Sequence, residues 1–164
     1  MPLPLPALAG EGATQTSTPD HVRARRPSYA TALHGHVLIA EDNPINAELT
    51  AEILQACGCT TSTASDGVAA LTQLNEESFD LVLMDWHMPQ MDGLTATRRL
   101  RATELARTPG RRIPVVGITA SVMPGDREAC FDAGMDDFLA KPFTFDELLA
   151  VLKRWLGKTE APAT

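Results

Sequence analysis

Four places in the 164-residue sequence set a side chain able to do chemistry directly after a short apolar run. Val37 to Ala40 is followed by Glu41 and Asp42, Leu81 to Met84 by Asp85, Val115 to Ile118 by Thr119, and Phe138 to Ala140 by Lys141 and Pro142. Taken singly, each has a plain reading. An Asp after a strand is more often a cap or loop residue than a metal ligand or a nucleophile, and exposed Lys and loop Thr are commonplace. Taken together they are more specific. Carboxylates gathered in one pocket raise each other's pKa unless a cation compensates. With oxygen donors and no local Cys or His cluster, Mg2+ is the cation that fits, because it takes one or two carboxylates, keeps several waters and shares its remaining positions with phosphate oxygens. Lys141 then has a task as a point charge on a phosphoryl oxygen, opposite the metal. Thr119 can donate a hydrogen bond to the same group.

The elements that must position these residues are also legible. From His36 onward, short apolar runs alternate with longer amphipathic stretches, the pattern of β/α units around a parallel sheet. A weaker run, Thr60 to Ala64, supplies a fifth strand. Near-continuous apolar runs suit strands covered on both faces. Asn43-Pro44 places a capping side chain before a Pro at the first helical position, and Ile45, Leu49, Ile53 and Ala56 follow at helical spacing until Gly58. Asp66 can cap a second helix through Leu71 and Leu74. The pattern predicts a third from about Gly93 to Arg107, a fourth from Pro124 to Ala133 with Gly134 as its stop, and a fifth from Thr144. In the fifth, Phe145, Leu148, Leu149, Leu152, Trp155 and Leu156 form one apolar stripe, which makes Trp155 a core residue rather than a ligand platform. Five strands and five helices with right-handed crossovers give a doubly wound α/β sheet, whose carboxyl-end crevice is where such sheets bind ligands. All four chemical strand ends converge there.

Composition narrows the field. A net charge of -7 with pI near 5.0 disfavours a surface for a phosphate backbone, so nucleic acid is not an expected partner. No stretch approaches the roughly 18 apolar residues of a membrane span. The opening MPLPLPALAG contains an Ala-x-Ala pattern but no basic region before it, and its prolines break the apolar part, so no signal peptide is expected. Cys57, Cys59 and Cys130 are read as reduced thiols packed as small apolar side chains. Residues 1–35, rich in Pro, Ala, Thr, Gly and Ser, read as a disordered tail or linker, residues 36–157 as the folded domain, and 158–164 as a second tail. His34 and His36 are read as solvated at the linker boundary. Arg98, Arg99, Arg101, Arg107, Arg111 and Arg112 concentrate positive charge, by default a solvated face. Met84, Met88, Met91, Met123 and Met135 are read as gap-filling core.

At this point AEDNPIN (40–46), LMDWHMPQMDG (83–93), GITAS (117–121) and MDDFLAKPF (135–143) resemble, in order and spacing, the receiver domain of two-component response regulators. They are most like receivers attached to hybrid sensor histidine kinases. The resemblance spans about His36 to Leu156 and implies a flavodoxin-like fold, strand order 2-1-3-4-5. It implies Asp85 as the phosphoacceptor, attacking a phosphohistidine in line to form an aspartyl phosphate. Asp42, Asp85 and the backbone carbonyl of His87 would bind Mg2+, with Glu41 acting mainly through a metal-bound water. Lys141 would pair with the phosphoryl group, across a cis bond to Pro142. Thr119 would move toward the phosphoryl oxygen and Phe138, at the aromatic switch position, would turn inward, shifting the population between two packings. The implied partners are a histidine kinase domain or a histidine phosphotransfer protein. The implied setting is the cytoplasm, as a monomer or a weak, phosphorylation-dependent dimer.

Two other functions compete. A Mg2+-dependent phosphohydrolase of the haloacid dehalogenase type would need a second Asp two residues after the nucleophile, where His87 stands. A non-phosphorylated docking module would be expected to have lost Asp85 or its acidic partners, and neither is lost. The linker-like composition of residues 1–35 and the hybrid-kinase-like motifs favour a receiver excised from a kinase over a stand-alone relay protein. Trp86, beside the reacting carboxylate, has no evident role in the sequence.

Overall fold

The apolar runs pair as parallel strands: β1 (His36–Ala40), β2 (Thr60–Ala64), β3 (Leu81–Asp85), β4 (Val115–Thr119) and β5 (Asp137–Ala140). They form one sheet in the order β2-β1-β3-β4-β5. The computed structural model describes residues 33–157, so residues 1–32 of the tail expected over 1–35, and all of the tail expected over 158–164, lie outside the described residues. β3 and β4 are buried along their whole length, as interior strands covered on both faces should be. β2 is an edge strand, which explains why its sequence TTSTA carries so little apolar signal. Packing begins before the expected start at residue 36: Leu33 is buried and its N–H donates to the Cys57 carbonyl at 2.8 Å.

The strands alternate with α1 (Pro44–Ala56), α2 (Gly67–Glu76), α3 (Gly93–Arg107), α4 (Asp126–Ala133) and α5 (Phe145–Leu156). Their starts follow from capping chemistry. Asn43 accepts from the Ile45 and Asn46 N–H groups, Asp66 from Ala69, and Asp92 from Thr95; Thr144 and Glu147 make a reciprocal capping box. α4 begins two residues later than its sequence suggests. The Asp126 carboxylate accepts the Met123 N–H at 2.7 Å and the Asp126 N–H returns to the Met123 carbonyl at 2.9 Å, tying residues 123–126 into a turn. Gly125, at φ +95°, closes that turn.

Helical spacing alone does not settle which face of α1 turns inward, and the outcome matters below. The helix buries Ala47, Thr50 and Leu54, while Ile45 is 67% and Leu49 55% exposed. Small Ala47 and Thr50 on the inner face let the first turns of the helix lie close over the sheet, Leu54 packs inward at its far end, and Ile45 and Leu49 are left outside. On α5 the stripe packs as predicted through Leu148, Leu152 and Leu156, and Trp155 sits half-buried with its indole N–H on Asp137 at 3.1 Å. The three cysteines are buried and unpaired. Burial pushes the Cys59 and Cys130 thiols up to about 11, so both stay protonated and unreactive. Among the described residues no helix is long and apolar enough to cross a membrane.

Candidate functional site

Register places the chemical residues. Ala40 pairs with Met84, Asp85 with Ile118 and Thr119 with Ala140, so Glu41, Asp85, Thr119 and Lys141 emerge at nearly one level of the sheet edge. Strand order reverses between β1 and β3, the two strands that carry the acids. Glu41, Asp42 and Asp85 bring one carboxylate oxygen each within 4.8 Å of one another. Glu41 and Asp85 are buried and Asp42 is exposed, so the cluster opens to solvent at Asp42.

Lys141 supplies the compensating charge. Its Nζ lies 3.0 Å from Glu41 Oε1 and 3.2 Å from Asp85 Oδ2. Burial alone would lower the Lys141 pKa, but hydrogen bonding and charge from Glu41 and Asp85 outweigh it and raise it above the ordinary value. A raised lysine keeps its proton at every pH below its unfolded value, so this tie is fully present at neutral pH and is lost only as pH climbs through the folded pKa. The other carboxylate oxygens are held by backbone: Asn43 N–H donates to Glu41 Oε2 at 3.1 Å and His87 N–H to Asp85 Oδ1 at 3.2 Å. The His87 side chain itself is exposed. A buried carboxylate oriented at both oxygens and flanked by an ammonium has the geometry a nucleophile needs, and an all-oxygen acidic cluster fits a hard divalent ion. The residues present therefore suit Mg2+.

Thr119 is brought to the edge but turned away from the acids. Its buried hydroxyl donates to the Ser121 carbonyl at 2.9 Å and accepts the Ser121 N–H at 3.1 Å. Phe138, on β5, is half-buried. The Lys141–Pro142 bond is cis.

Two glycines show how tightly the strand that ends in Asp85 is built. A Cβ on Gly93 would lie 2.1 Å from the Asp85 carbonyl oxygen, so only glycine lets α3 start against the backbone of Asp85. Gly117 answers the question of Trp86. The indole Nε1 and the Met135 thioether both lie 2.5 Å from where a Gly117 Cβ would stand, so the missing side chain is the space that Trp86 fills. Trp86 is thus 7% exposed, and its Nε1 has no hydrogen-bond partner. Residue type gave no warning of this, because the fit depends on a glycine one strand away.

Known proteins carry the same arrangement. The model of the response regulator receiver domain family matches residues 37–153. The chain is 41% identical over 128 residues to the sensor histidine kinase RcsC of Salmonella typhi, a match over 76% of this chain and 13% of that protein. It superposes with TM-score 0.67 and 40% identity on the receiver domain of sensor histidine kinase PA1611 from Pseudomonas aeruginosa, crystallised with a magnesium ion in its active-site cleft. That likeness covers 76% of this chain and 98% of the other. The Saccharomyces cerevisiae Ssk1 receiver domain, crystallised with the histidine phosphotransfer protein Ypd1, matches with TM-score 0.72 and 25% identity over 78% of this chain and 92% of that one. With this strand order, these acids facing this lysine, and a family match over most of the sequence, the chain belongs to the response regulator receiver domain family.

Proposed function

We propose that the domain takes a phosphoryl group from a phosphohistidine onto Asp85, and that this changes its packing and partner binding. The observation that carries the reading is Asp85 itself: a buried carboxylate at the end of β3, held by His87 N–H and Lys141 and flanked by Glu41 and Asp42. An Asp85 oxygen attacks phosphorus in line, the new O–P bond forms as the P–N bond breaks, and the electron pair leaves with the imidazole nitrogen. Lys141 holds a phosphoryl oxygen and the Thr119 hydroxyl leaves Ser121 for another. Phe138 then follows into the space that Thr119 vacates. Asp42, Asp85 and the His87 carbonyl are the proposed Mg2+ ligands, with Glu41 acting through water. The metal's contribution is to neutralise the charge gathered on the transferred group.

The chain spans 13% of the RcsC relative, and we read it as the cytoplasmic receiver module of a hybrid kinase or phosphorelay, monomeric or weakly dimeric when phosphorylated. Incubation with Mg2+ and acetyl phosphate is expected to add one phosphoryl group by intact mass, and EDTA to prevent it. Absence of the added mass in the unmodified protein would remove the reading.

The proposed partner is a histidine phosphotransfer protein or kinase domain presenting its histidine from a helix. A groove lined by Asn46, Leu49, Ile53, Pro142 and Phe143 runs along α1 up to Lys141, and exposed Ile45 and Leu49 continue the apolar face. Leu49→Glu is expected to slow transfer from a phosphorylated partner about tenfold, the effect of losing about 1.4 kcal/mol of contact, while labelling by acetyl phosphate stays at the wild-type rate. Equal slowing with both donors would place the defect in the site and not in docking.

A further inference from the structure

We propose that Arg127 is a positioning residue for the switch: its guanidinium holds the Phe138 ring in the half-exposed position and so sets how readily Asp85 is phosphorylated. The inference rests on the reading above, in which Phe138 turns inward when Thr119 moves. The guanidinium carbon of Arg127 lies 5.9 Å from the centroid of Phe138 and 5.7 Å from that of Phe131. One cation thus bridges two ring faces. Phe131 follows Arg127 by four residues on α4, one turn along the same face, and is 41% exposed. Phe138 arrives from β5, so the cation ties the ring to a different element.

The surroundings explain why the ring needs holding. An aromatic ring gains by burial, and Phe138 pairs across the sheet with Gly117, which offers no side chain to oppose it. The space over Gly117, however, is taken by the Trp86 indole and the Met135 thioether. Under the reading above the ring moves instead toward Thr119, two residues along β4 and paired with Ala140, two residues along β5. In the resting arrangement that hydroxyl is tied in both directions to Ser121. Two local ties therefore hold the resting arrangement: the Thr119–Ser121 hydrogen bonds and the Arg127 guanidinium over the Phe138 ring. Phosphorylation releases the first. The second is a standing bias, and whatever favours the outward ring disfavours the phosphorylated packing by the same factor.

An exposed cation over an aromatic face changes such an equilibrium by about two- to fivefold. Arg127→Met keeps length and apolar cover while removing charge; Arg127→Lys keeps the charge. In the 164-residue protein with Mg2+ and acetyl phosphate, Arg127→Met is expected to take up phosphoryl about two to five times faster, with Lys restoring the slower rate. In the unphosphorylated proteins, NMR of selectively labelled Phe is expected to show the Phe138 ring more buried in the Met variant than in wild type or Lys. Thermal unfolding checks that each variant is folded. Wild-type rate and wild-type Phe138 signals in Arg127→Met would overturn the proposal. If the unmodified protein takes up no phosphoryl group, the receiver reading fails on its own, and the ring signals still decide whether Arg127 holds Phe138.

Discussion

Asp85→Asn is expected to abolish Mg2+-dependent phosphoryl uptake, with labelling from acetyl phosphate down by at least about a hundredfold, because the substitution removes the nucleophilic oxygen and not merely a contact. The exchange is nearly isosteric, so the amide oxygen can still accept the His87 N–H that Asp85 Oδ1 receives at 3.2 Å. Lys141 loses one of its two carboxylate partners but keeps Glu41 at 3.0 Å. One negative charge leaves a cluster of three acids that repel one another. The variant should therefore stay folded, with an unfolding midpoint at or above wild type, while its Mg2+ affinity falls because a ligand charge is lost. Intact mass reports the first result, thermal unfolding the second and calorimetric Mg2+ titration the third. Labelling of the Asn variant at the wild-type rate would mean that another side chain is the acceptor. Peptide mapping would then identify it.

What the sequence revealed of this site was set by short-range rules. A residue following an apolar run sits at a strand end, and in a parallel sheet all such ends share an edge, so Glu41, Asp42, Asp85, Thr119 and Lys141 could be brought together before any coordinates. Capping side chains were equally local, and Asn43, Asp66 and Thr144 start helices where their types suggest. The sequence was silent where two long-range solutions share one local pattern. α1 has two faces at helical spacing, and periodicity alone cannot say that the small face, Ala47 and Thr50, approaches the sheet while Ile45 and Leu49 stay outside. Trp86 depends on Gly117, and Phe138 on Arg127; neither pairing leaves a mark in spacing, since each is made between separate elements. The α4 start was missed because Asp126 caps a turn that Pro124 seemed to open as helix.

The arginine-rich stretch gives the sharpest contrast and the largest expected loss of stability. Arg101 reads as one member of a solvated basic face, yet its side chain is 12% exposed, against 55% for Arg112. Its guanidinium donates to the Gly134 carbonyl at 2.9 Å and, at 2.8 Å each, to Glu104 Oε1, the Ile113 carbonyl and Asp136 Oδ2. The two acids are occupied in turn: Glu104 accepts the Ile113 N–H and Asp136 the Val115 N–H, both at 2.9 Å. One side chain thus joins α3 to the stretch leading into β4, the residue ending α4 and the turn before β5. Arg101→Ala would leave the largely buried Glu104 and Asp136 carboxylates short of their shared cation and the Ile113 carbonyl without its guanidinium donor, while Gly134 keeps Arg112 at 3.0 Å, a loss of about 3–5 kcal/mol for a broken buried network. The lower end is expected, because Arg112 still reaches Asp136 Oδ1 at 2.9 Å. Arg101→Lys keeps the charge but not the planar fork that spans four acceptors, and should fall between. Arg111→Ala, on the exposed part of the same basic stretch, should stay within about 0.5 kcal/mol of wild type. Urea unfolding separates these outcomes by midpoint at constant slope. A loss below about 1 kcal/mol for Arg101→Ala would return Arg101 to the solvated face that its sequence suggests. Because this hub ties the edge of the sheet opposite Asp85, the folded fraction of the variant should still take up phosphoryl at the wild-type rate, which separates what holds the domain together from what lets it react.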